Sequence, residues 1–108
     1  MAKGFLTYST AVILQAVANG YRYGFDIIDI TGMPGGTVYP VLRRLDESGH
    51  LTSEWEKPSI AKSEPRPPRK YYELTRAGRE ALADALKRYR LLEQTQPLRK
   101  RESKASRA

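Results

Sequence analysis

The sequence contains no cysteine. Disulfide staples, thiolate nucleophiles and cysteine metal sites are therefore excluded. Histidine occurs once, as His50, with no second nitrogen or carboxylate at ligand spacing, so a structural role is expected and no metal. No apolar run approaches the ~20 residues of a membrane-spanning helix, and no signal-peptide pattern opens the chain. The expectation is a soluble, cytoplasmic protein with no membrane partner. Asp26 and Asp29 sit three residues apart, but nothing converges on them for acid–base work. Neither an enzyme nor a cofactor is expected.

Acidic residues are scarce toward the carboxyl end. Residues 75–108 carry ten Lys/Arg against four Asp/Glu, whereas residues 1–74 carry nine against eight. Most of the net charge of +7 therefore lies in the last third. A basic balance points to a polyanionic partner, nucleic acid before membrane, because no segment has a bulky lipid-seeking face. Surplus charge that only aids solubility is the plainer alternative. At 108 residues the chain fits one small domain, burying roughly 65% of its unfolded surface, so a second subunit would usefully add buried area.

Three helical segments come first. Phe5 to Ala18 is apolar nearly all round, as for a helix buried in a small core, and Asn19–Gly20 supplies its stop. From Gly24 a short face of Phe25, Ile27, Ile28 and Ile30 runs to Gly32; its β-branched residues also allow a strand, but the flanking glycines favour a helix. The third is GGTVYPVLRRLDE, whose buried stripe is Val38, Val41, Leu42 and Leu45, closed by Gly49.

The period then changes to two. Leu51, Ser53 and Trp55 alternate with polar residues, and Tyr72 and Leu74 do the same in RKYYEL. Between them lie Pro58, Pro65, Pro67 and Pro68, which cannot donate ladder hydrogen bonds, so a long loop joins two strands of a hairpin. Thr75 caps a last helix whose Gly78, Leu82, Ala85, Tyr89 and Leu92 follow a coiled-coil seam. Pro97 ends it, and the basic tail beyond is too poor in apolar residues to order itself.

This order is that of a winged helix-turn-helix: an α+β fold, mainly α, with a C-terminal dimerisation helix. The expected boundaries are 1–74 for the DNA-binding domain, 75–96 for the dimerisation helix and 97–108 for the tail. The weak start of the third helix then makes sense. A recognition helix enters the major groove by its amino end, where glycine lets phosphate come close. Gly36, Thr37, Tyr39, Pro40, Arg43 and Arg44 lie off the buried stripe; arginine can pair with guanine edges, and hydroxyls with phosphate. Tyr23 is a further candidate, and Arg66, Arg69 and Lys70 would stand on the wing. An ordinary solvated face for Tyr39 and Arg43, and solubilising roles for the wing cations, remain the plainer alternatives. Tyr72 is expected in the core. Trp55 either packs on the hairpin or lines an effector pocket.

GGTVYPVLRRLDESGHLTSEWE, taken with PRKYYELTRAGREAL, resembles the PadR family of bacterial transcriptional regulators. The resemblance covers about Phe5 to Leu92. It implies a winged-helix homodimer that binds double-stranded DNA, represses promoters and is often released by small aromatic or drug-like effectors. The short carboxyl end is similar to the smaller branch of the family. Two positions depart from the pattern: Gly24–Phe25 stands where Gly-Tyr is usual, and Pro34 where a capping serine is common.

The expected dimer seam is Leu82, Ala85, Tyr89 and Leu92, joined by the first helix, with Tyr89 also the candidate to line an effector pocket. The tail cations Arg99, Lys100, Arg101, Lys104 and Arg107 would clamp the DNA backbone. A protein-interaction module that does not read DNA is the rival function, and nonspecific binding through the tail alone is a weaker one.

Overall fold

A computed structural model gives the architecture, described for residues 6–57 and 68–90. The elements run α1 (Tyr8–Ala18), α2 (Gly24–Thr31), α3 (Gly35–Glu47), β1 (Leu51–Trp55), β2 (Lys70–Leu74) and α4 (Arg76–Arg88). Arg66, Leu92 and the tail lie outside the described residues.

Helix α1 is the central element. Thr7 caps it by accepting from the Thr10 amide at 3.2 Å, and Ala11 and Ile13–Val17 are all buried. Its all-round apolar character reflects neighbours on several sides, for α2, α3, β2 and α4 all pack on it. Helix α3 needs only one buried stripe, and Val38, Val41, Leu42 and Leu45 supply it. Gly49, at φ 86°, turns the chain at its end. The His50 amide donates to Leu45 and the Gly49 amide to Asp46, satisfying two carbonyls that would otherwise lose their partners. Pro40 lies inside α3 and has no amide to offer Gly36, four residues back, yet the helix continues through it.

Strands β1 and β2 pair antiparallel, with Leu51 opposite Leu74, Ser53 opposite Tyr72 and Trp55 opposite Lys70. Leu51 and Tyr72 are buried, as the alternation predicts, whereas Trp55 at the outer end is 64% exposed. A rudimentary third strand joins them. The Tyr72 amide donates to the Arg22 carbonyl at 2.9 Å, and Tyr23 bridges to Tyr71. The two-residue period of Tyr21 and Tyr23 around Arg22 is its only trace in the sequence.

Helix α4 changes the expectation for the seam. Leu82 joins the main core, and Ala85 packs against Ala11 of α1. Tyr89 donates its hydroxyl to the Leu6 carbonyl at 2.8 Å, and its ring meets Tyr8 edge-on. Leu82 and Ala85 are thus buried within this subunit, where they complete its own core. Among the described residues the helix ends at Arg88, where Tyr89 leaves helical geometry at φ −113°, ψ 94°; the rest of the expected segment to residue 96 lies largely outside the described residues. Its start is fixed by Thr75, which accepts from the Gly78 amide and donates to the Gly49 carbonyl at 2.6 Å. Gly78 is buried where a side-chain carbon would collide with the His50 carbonyl.

Candidate nucleic-acid interface

With Val38, Val41, Leu42 and Leu45 turned inward, helical geometry puts Gly36, Tyr39, Pro40, Arg43, Arg44 and Glu47 on the opposite side, and all six are exposed. Thr37 is half-buried at the edge of this face. Among the described residues neither Arg43 nor Arg44 has a carboxylate partner, so both guanidinium groups remain available.

The first turn of α3 carries no acidic residue and no side-chain cap at Pro34. Its amide end is thus left open to an anion. Nothing lies within 4 Å of where a Gly36 side chain would project, so the backbone is bare on that side. Tyr39 is held differently. Its ring leans on the backbone of Gly24 at the start of α2 and remains 49% exposed. At the other end of α3, Ser53 donates to Asp46 at 2.6 Å and ties the helix to β1.

The root of the wing adds a ring and cation layer. The Arg69 guanidinium lies 5.6 Å from the Tyr23 ring centre, and Tyr23 meets Tyr71 edge-on at 6.0 Å. The Arg22 guanidinium lies 5.7 Å from the Tyr71 ring centre and pairs with Glu73. The Tyr71 hydroxyl donates to Glu54 at 2.7 Å, and this bond to a carboxylate, with some desolvation, raises the phenol above its usual range. Burial does the same for Tyr72 on the opposite face.

The predicted site residues therefore divide. Gly36, Tyr39, Pro40, Arg43 and Arg44 share one face, and Tyr23 with Arg69 over its ring directly precedes Gly24, on which Tyr39 leans. Lys70 does not share the Arg69 face: neighbours on a strand point to opposite sides, and its ammonium sits 5.6 Å over Trp55 instead. Tyr23 is occupied by Arg69 and Tyr71 rather than projecting alone. The Gly24 contact was not legible, since nothing in the sequence brings positions 24 and 39 together.

An open depression of about 860 Å³ separates the start of α1 from α3, lined among others by Thr7, Thr10, Thr37, Pro40 and Arg44. Tyr89 does not line it. His50 holds its Nδ1 2.6 Å from the Ser48 hydroxyl, a local turn contact. Among the described residues no three His, Cys, Asp or Glu side chains gather as a metal set, and no helix is long and apolar enough to cross a membrane.

A model of the PadR-like family of transcriptional regulators matches residues 13–84. Among solved structures, PadR of Bacillus subtilis in complex with operator DNA is 23% identical, with TM-score 0.64, over 74% of this chain and 47% of that one. The chain thus spans about half the length of that protein. A PadR-like transcription factor from Bacteroides fragilis is 30% identical over 80% of this chain and 84% of that one, with TM-score 0.64. BpsR of Bordetella bronchiseptica, whose structure concerns regulation of its DNA binding by 6-hydroxynicotinic acid, is 21% identical over 87% and 67%, with TM-score 0.66. No match was found among curated proteins.

Proposed function

The chain belongs to the PadR-like family of transcriptional regulators, and we propose that within it this protein is a sequence-specific DNA-binding repressor acting as a homodimer in the cytoplasm. One observation carries the reading: the exposed face of α3, with Arg43 and Arg44 unpaired among the described residues, behind an amide end that no side chain caps. Entering the major groove by its amino end, α3 brings Arg43 within reach of a base edge, where a bidentate pair with guanine discriminates by roughly 1–3 kcal/mol. Gly36 lets the backbone approach phosphate, and Thr37 and Tyr39 offer hydroxyls. Arg69, braced on Tyr23, serves the flanking backbone, with Arg66 and Lys70 as further wing cations. These contacts fix register without reading sequence.

The α1–α4 layer is the proposed place of the subunit contact. Because Leu82 and Ala85 are buried within the subunit, they would support that surface rather than form it. An aromatic or drug-like effector acting on this layer would change the distance between the two α3 helices and so release the operator. A selection from random double-stranded DNA tests the proposal. The expected product is an inverted repeat with half-sites about one helical turn, ~34–36 Å, apart. Enrichment of no sequence would refute DNA reading, and an unrepeated half-site would refute the homodimer.

A further inference from the structure

We infer that Gly24 is a positioning residue for DNA recognition: it is the seat that orients the Tyr39 ring on the reading face of α3. The inference rests on the proposed role of that face. Gly24 opens α2 and is buried, although its neighbour Phe25 is exposed. The side chain nearest to it is Tyr39. A side-chain carbon at position 24 would lie 2.8 Å from Tyr39 Cζ and 2.9 Å from its hydroxyl oxygen, and nearer still to Cε1. Carbon atoms in good contact sit about 3.5–4.0 Å apart, so ring and methyl cannot both occupy this space.

The far end of the ring is only lightly held. Among the described residues its hydroxyl has no hydrogen-bond partner, and half of the side chain faces solvent. On its other side, a side-chain carbon at Gly35 would meet the ring at an ordinary 3.5 Å. The Tyr39 ring therefore occupies space that is open only because position 24 has no side chain. Gly24 also follows Tyr23 directly, so the same short segment braces Arg69 of the wing and Tyr39 of α3.

The colliding atoms make alanine a clean probe. They belong to the tip of a half-exposed side chain, which can swing away while the backbone stays in place. Alanine is also the better helix former, so α2 itself gains from the change. A freed ring must be ordered again on binding, which is expected to weaken recognition roughly three- to tenfold.

The test compares wild type, Gly24→Ala, Tyr39→Ala and the double variant on the duplex selected by wild type and on a scrambled duplex at one salt concentration. Gly24→Ala is expected to lose roughly three- to tenfold on the selected duplex and little on the scrambled one. The double variant should bind like Tyr39→Ala alone, because the methyl then has nothing to displace. Losses that multiply, or a Gly24→Ala protein that discriminates like wild type, would overturn the inference while leaving DNA reading intact. A wild type that enriches no sequence would overturn both. Melting temperature separates a fold defect: in the Tyr39→Ala background the added methyl should leave it unchanged or raise it, and a fall there would assign Gly24 to the fold and overturn the inference.

Discussion

The back and the front of this molecule are both closed by a glycine, but against different things. At the back, Gly78 lets α4 cross the turn after α3, and the atom in its way is the His50 carbonyl. At the front, Gly24 lets α2 meet α3, and the atoms in its way are the tip of Tyr39. Backbone that is itself hydrogen-bonded, as the His50 carbonyl is to the Thr75 amide at 3.1 Å, has nowhere to go. A half-exposed phenol ring does. The back is thus a rigid brace, and the front an adjustable surface on a rigid support. A DNA-reading face suits this arrangement, since contacts must be both placed and able to fit.

The largest effect that would sharpen this contrast is expected at Gly78. Gly78→Ala inserts a methyl against fixed backbone, a change that commonly costs about 1–3 kcal/mol even though alanine favours helix. At roughly 4–8 °C per kcal/mol for a small domain, melting should fall well below that of wild type, whereas Gly24→Ala should melt near it. Equal falls in the two variants would remove the distinction between brace and adjustable face.

A smaller effect should appear at alkaline pH in β2. Tyr71 is held above the usual phenol value of 10.0 chiefly by its bond to Glu54, and Tyr72 chiefly by burial. A raised native pKa means that the folded chain keeps these protons longer than the unfolded chain does. The associated stability is present below about pH 10 and is lost as pH rises through and beyond it. Melting followed from pH 8 to about pH 11 should decline, and Tyr71→Phe should decline less. An identical decline in the variant would mean that the Tyr71–Glu54 bond does not couple to folding.

The same contrast explains what the sequence revealed. The stripe of Val38, Val41, Leu42 and Leu45 repeats at helical spacing, so its burial, and the exposure of Tyr39, Arg43 and Arg44 opposite, follow from period alone. The hairpin was legible in the same way, since Leu51 and Tyr72 alternate with polar residues. Period says that a stripe is buried but not against what. Leu82 and Ala85 have the spacing of a coiled-coil seam, yet α1 of the same chain covers them. Nor does spacing predict that Tyr89 turns to Leu6 and closes α4. The separation of Arg69 from Lys70 was within reach, because adjacent strand residues face opposite ways. The pairing of Gly24 with Tyr39 was not, because it depends on how two helices cross.

The central claim is that the exposed face of α3 reads base sequence rather than only attracting phosphate. The most direct test is the ratio of affinities for the selected duplex and a scrambled duplex, measured at one salt concentration for wild type and Arg43→Ala. The claim predicts that Arg43→Ala loses roughly 1–3 kcal/mol more on the selected duplex than on the scrambled one, collapsing the ratio. Equal losses on both, with the ratio preserved, would contradict it and reduce Arg43 to a nonspecific phosphate contact.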